Sequence, residues 1–204
     1  MEKAIPLERM VFFSDAIFAI ALTLLALDLK LPIGIPPERL HAELIDGIPE
    51  LFAFILSFAI IARVWMSHHT DFFRIRDFSA RLAWLNMLLL FFIVMLPATT
   101  AVLSDYGSNP SPWPSVLYAG TISGVYLSLA GIWTYAWRKG LMGDTVDAHE
   151  HRRIFRGRLT APAVFLLSIP AAFVLGSNTP LLWFLILPAA LVSRQLSRRK
   201  ASMR

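Results

Sequence analysis

The chain has 204 residues, 56% of them hydrophobic and only 16% charged, well short of the roughly 25% charge usual in a soluble domain. It contains no cysteine, which excludes a disulfide framework and any thiolate metal site. A pI near 10.0 would suit a nucleic-acid binder, but the basic residues collect on one side of the apolar segments, so the charge reports membrane topology and a nucleic-acid partner is excluded.

The first predicted element covers residues 10–31 and is apolar from Met10 to Leu27 apart from Ser14, Asp15 and Thr23. A helix of about 20 residues crosses the ~30 Å hydrocarbon core of a bilayer. A carboxylate one turn inside such a helix costs about 2.5–3.5 kcal/mol on insertion scales, so Asp15 is expected to face protein or water. A cleaved signal peptide with Arg9 as its basic flank fits poorly, because Asp15 interrupts the apolar region and further spans follow.

Five more apolar segments follow, at roughly 48–67, 82–103, 114–137, 159–176 and 179–194. The last two are short and separated by the turn-like Gly176-Ser177-Asn178-Thr179-Pro180; they read as a helical hairpin or, alternatively, as two re-entrant halves. Between the first and second spans lies an acidic connection, with Asp28, Glu38, Glu43, Asp46 and Glu50 against Lys30 and Arg39. Pro37-Glu38 opens a short helix there through Ile45. Asp28 stands at the outer mouth, and the lip is either a solvated loop or a cation-attracting vestibule.

Of the 19 basic residues only Lys30 and Arg39 fall in the connections after spans one, three and five. By the positive-inside rule the other side is cytoplasmic. The expectation is an all-α membrane protein: one domain over residues 1–204, six spans, both termini cytoplasmic, a basic tail at 195–204, and attraction to anionic lipid headgroups.

Two constellations carry chemistry. The second span ends Trp65-Met66-Ser67-His68-His69-Thr70-Asp71, and Trp65 lies three and four residues before the two histidines, on a shared helical face. A histidine bond to Asp15, supported by Ser14, Trp65 and Asn86, would offset the burial of the carboxylate. Reading His68, His69 and Asp71 as metal ligands is weaker, since adjacent helical residues point about 100° apart. A proton-coupled transporter relaying through Asp15 and His68 or His69 is the main alternative, although the chain shows no inverted halves. The second constellation is a stripe. With Asp15 at zero and about 100° per residue, Ile20, Leu24 and Leu27 lie at about 140°, 180° and 120°, flanked by Thr23 at about 80°.

Arg9, Phe13, Ser14 and Asp15 read R-x-x-x-F-S-D. This signature, with the six-span layout and Trp65, His68 and His69, resembles the transmembrane protein 175 family of potassium-permeable channels from lysosomes and prokaryotes. A single six-span repeat is similar to the prokaryotic branch. The resemblance implies a homotetramer in the cell membrane, with the first helix of each subunit lining a central pore. Rings of Ile20, Leu24 and Leu27 would form the constriction for monovalent cations, potassium favoured. Arg9, Phe13, Ser14, Asp15, Trp65, His68, His69 and Asn86 would form a structural network, and no cofactor beyond the permeant potassium ion is implied. There is no T-V-G-Y-G run, so a carbonyl filter is not expected. Arg9 and Phe13 share the angle of the stripe and are candidates for the inner mouth.

Overall fold

In the computed structural model, the structure describes residues 7–27, 29, 34–107, 109–142 and 146–185, the last without its side chain. Among these residues six α-helices follow in order: α1 (Leu7–Leu27), α2 (Pro37–Asp46), α3 (Ile48–Arg74), α4 (Ala80–Tyr106), α5 (Trp113–Arg138) and α6 (Ala148–Leu175). A 3-10 segment, Gly176–Leu185, continues from α6. Among the described residues there are five stretches long and apolar enough to cross a membrane: α1, α3, α4, α5, and α6 with its continuation to Phe184.

Local chemistry sets most of the boundaries. Pro37 occupies the first turn of α2, where its missing N–H is no loss, and Arg39 pairs with Glu43 at 2.8 Å one turn on. Ser79 caps α4, its hydroxyl accepting from the Leu82 N–H at 3.1 Å. Asp147 caps α6 by accepting from the Glu150 N–H at 2.6 Å; that bond holds the exposed Asp147 carboxyl below its ordinary pKa.

The sequence reading requires one correction here. The segment expected at 159–176 starts at Ala148, because Asp147 and Glu150, three residues apart, make a capping pair ahead of the apolar run. No proline or glycine intervenes after the apolar run of the second span, so α3 continues through His68, His69 and Asp71 to Arg74, as the helical reading of that stretch expects. The expected change of direction at 176–180 is present. Gly176 stands at φ 53°, a left-handed value that glycine adopts without strain. Residues 179–185 of the sixth segment wind as the 3-10 segment. The rest of that segment, the 195–204 tail, Lys30 and Asp28 lie outside the described residues.

α1 rests on α3 and α4, α3 and α4 rest on α5, and α6 rests on α5 and is paired to α3 through Asp71–Arg158 and Arg74–Glu150. In a bilayer, helices associate through close packing and internal hydrogen bonds, since lipid is as apolar as the side chains. Both devices are visible. Gly124 of α5 lies so near Phe92 of α4 that an added Cβ would stand 2.5 Å from the ring. Ser57 of α3 is within 2.8 Å of both the Thr100 hydroxyl of α4 and the Tyr118 hydroxyl of α5. Trp183 of the 3-10 segment packs against Tyr118, with ring centroids 4.9 Å apart, and donates to Ser168 Oγ at 3.0 Å.

Candidate functional site

α1 divides lengthwise. Met10, Ser14, Phe18, Ala21 and Leu25 are buried against α3 and α4, a spacing of three and four residues that makes one continuous face. The opposite side is open: Ile20, Leu24 and Leu27 are 54%, 40% and 79% exposed, whereas Phe18 is 1% exposed. Phe12 and Phe13 extend the open surface toward the start of the helix, where Arg9 is also exposed. The Thr23 hydroxyl is exposed as well and donates to the Ile20 carbonyl at 2.8 Å.

Two polar attachments hold the inner side. Asp15, half-buried on the flank of α1, accepts from the Trp65 indole Nε1 at 2.9 Å. One position earlier, fully buried Ser14 accepts from Asn86 Nδ2 at 2.9 Å and donates to the Met10 carbonyl at 2.8 Å. The remaining face of Asn86, its Oδ1, is 2.8 Å from His68 Nε2. Because the Asn86 amide donates to Ser14, its carbonyl must accept from His68, which puts a proton on Nε2. His68 lies between Phe18 and Phe72 at ring distances of 5.5 and 4.3 Å, and its buried Nδ1 has no partner among the described residues.

The sequence reading placed a histidine on Asp15; the structure gives Asp15 to Trp65 and His68 to Asn86. It also placed Trp65, His68 and His69 on one face. Trp65 and His69 do share one, with rings 5.9 Å apart at the surface, but His68 turns about 100° away into the bundle. Asn86, Ser14 and His68 therefore form one attachment, Asp15 and Trp65 another. Replacing Asn86 by alanine leaves the His68 and Ser14 groups unsatisfied in a dry interior, a loss of about 1–3 kcal/mol. Trp65→Phe, at a half-exposed carboxylate, should cost less. Thermal unfolding of the purified protein compares them; a larger loss for Trp65→Phe would contradict the ranking.

A third cluster was missed because its members lie far apart in sequence. Asp71 of α3, 1% exposed, pairs with Arg158 of α6. The Arg158 guanidinium lies 4.8 Å from the Trp133 ring centroid of α5. Next to it Arg74 binds Glu150 at 3.0 Å, and His151 stacks on Trp137 at 4.0 Å. The signal available was an aspartate at the end of a span, facing an arginine at the start of another. With His68 on Asn86, His69 outward and Asp71 on Arg158, the three residues weighed as metal ligands diverge. Among the described residues no group of three or more His, Cys, Asp or Glu is placed to hold a metal ion.

Comparison with known proteins adds to this geometry. A family model described as the endosomal/lysosomal potassium channel TMEM175 matches residues 9–97. A potassium channel of Streptomyces collinus is 32% identical over 173 residues, which is 81% of this chain and 82% of the relative. A potassium channel of Chamaesiphon minutus is 29% identical over 173 residues, covering 81% and 84%. The crystal structure of a lysosomal potassium-selective channel TMEM175 homolog from the same organism superposes with a TM-score of 0.76 at 27% identity, covering 92% of this chain and 97% of that one. The endosomal/lysosomal proton channel TMEM175 of Bos taurus is 29% identical over 188 residues, and the chain spans 38% of its length.

Proposed function

The chain belongs to the TMEM175 family of ion channels, and from that premise we propose that it conducts potassium through a pore lined by α1 in a homotetramer of the cell membrane. Membership places it among channels and not enzymes. The observation that carries the pore assignment is the lengthwise division of α1. Its buried side is tied to α3 and α4 by Ser14 and Asp15, and its apolar side faces away from the subunit. One helix cannot enclose a pore, so several copies must contribute it, and four give rings of Ile20, Leu24 and Leu27 at successive depths. Branched apolar side chains supply no ligand to replace hydration water. Such a ring admits the ion that sheds water more readily, potassium before sodium, and closes by dewetting when it narrows. Arg9 and Phe13 lie at the inner end of this path, Thr23 flanks the ring, and the acidic lip with Asp28 gathers cations at the outer end.

The purified protein in planar bilayers should carry single-channel current whose reversal potential under a potassium/sodium gradient lies toward the potassium value. Its mass in detergent should be that of four chains. Flux that saturates with substrate and no unitary current would favour the proton-coupled transporter using Asp15 with His68 or His69, and proton current without potassium current would match the name carried by the animal relatives.

Topology is tested separately. In the cysteine-free chain, Asn109→Cys should react with an impermeant thiol reagent from outside intact cells and His149→Cys only after lysis, both sites being exposed. The reverse pattern would invert the orientation taken from the basic residues.

A further inference from the structure

The face of α6 that turns away from α5 combines exposed arginines with exposed leucines. At about 100° per residue Arg152, Arg156, Leu159, Leu166 and Leu167 fall within an arc of about 100°, and all five are exposed. The two arginines stand one turn apart at the start of the helix, with the leucines below them. From Arg156 to Leu167 the helix rises about 16 Å, close to half of the ~30 Å hydrocarbon thickness. A cationic head over an apolar lane one leaflet deep is the complement of a single anionic phospholipid.

The charges nearby leave these arginines available. Glu150 is engaged by Arg74 at 3.0 Å and by Arg153 at 3.6 Å, Asp71 by Arg158, and Asp147 by the cap of its own helix. Among the described residues neither Arg152 nor Arg156 has a carboxylate partner; Arg152 reaches only the Ala148 carbonyl, at 3.1 Å. A phosphodiester offers the paired oxygens that a guanidinium matches. The packing agrees: α6 packs on α5 whereas α1 packs on α3 and α4, which sets this face apart from the proposed pore-lining helix.

We propose that the outward face of α6 is a binding site for an anionic phospholipid, with the headgroup phosphate held between Arg152 and Arg156 and an acyl chain lying along Leu159, Leu166 and Leu167. The site is independent of which ion the protein conducts.

Thermal unfolding of the full-length protein in a non-ionic detergent, titrated with phosphatidylglycerol or phosphatidylcholine, tests it. Phosphatidylglycerol should raise the melting temperature saturably and phosphatidylcholine should not. Each arginine at an anionic headgroup contributes about fivefold in affinity, so Arg152→Gln with Arg156→Gln should raise the half-saturating phosphatidylglycerol by roughly thirtyfold. Arg76→Gln with Arg81→Gln removes the same charge from exposed positions outside α6 and its neighbours and should leave the titration nearly unchanged. Leu167→Gln keeps every charge and should still weaken phosphatidylglycerol severalfold. Equal loss from both arginine pairs would reduce the effect to general surface charge and overturn the site. So would equal stabilisation by the two lipids, no effect of Leu167→Gln, or full stabilisation by soluble glycerol phosphate.

Discussion

Asp71→Ala should lower the stability of the purified protein by about 3–5 kcal/mol, the usual range when one member of a buried ion pair is removed and the other is left behind. The side chains of Asp71 and Arg158 are 2% and 12% exposed, so no water replaces the lost partner. Arg158 would keep only the face of Trp133 and a long contact to the Leu129 carbonyl, 3.5 Å away. The pair joins the last turns of α3 to the third turn of α6, so its loss should loosen the contact between those two helices. Arg39→Ala provides the contrast: it removes an exposed pair with Glu43 within one helix, where the effect should stay below about 0.5 kcal/mol. Melting curves of the two variants in one detergent decide it, and indistinguishable curves would show that the buried pair adds nothing net.

Ile20→Asn should raise conductance and weaken the preference for potassium. A polar, hydratable side chain in the ring lets ions pass with more of their water, which removes both the barrier and the basis of discrimination. Ile20→Ala should act in the same direction by widening the ring. Ile20 is open on the subunit surface, so stability should change little. Phe18, on the other side of α1, sits against His68 and is a packing residue. Phe18→Ala is expected to cost about 3–5 kcal/mol through the cavity it leaves, which makes Phe18→Leu the better control for permeation. Bi-ionic reversal potentials measured for Ile20→Asn and Phe18→Leu should separate: a shift for the second and none for the first would put the pore on the wrong side of the helix.

The sequence contained most of the fold and the outline of the candidate site. The apolar segments, the break at Pro36-Pro37 and the turn at Gly176 are local signals, each decided within a few residues. Helix angles alone put Ile20, Leu24 and Leu27 on one stripe. What the sequence did not carry was partner choice. Asp15 had Trp65, His68 and His69 all within plausible reach, and only the relative rotation of α1 and α3 assigns it to the indole. That rotation also brings Asn86 between Ser14 and His68. Asp71 and Arg158 were beyond any local rule, being 87 residues apart. The early start of α6 was open to a sequence reader, since Asp147 and Glu150 carry the spacing of a cap; a strongly charged first turn drew attention from it.

The attachments of α1 also set an order of events at synthesis. Trp65 and Asn86, which satisfy Asp15 and Ser14, lie 50 and 72 residues downstream of them. At about 5–20 residues per second, those 72 residues take roughly 4–14 s to emerge from a ribosome. For the first 50 of them Asp15 has no tertiary partner, and Ser14 has none until Asn86 emerges, in a segment already long enough to enter the bilayer. The second attachment of α1, the Asn86 bridge, can form only when α4 has arrived. A nascent chain halted between α3 and α4 would have the Asp15–Trp65 bond and lack the Asn86 bridge, and its first helix would be the part that slips back.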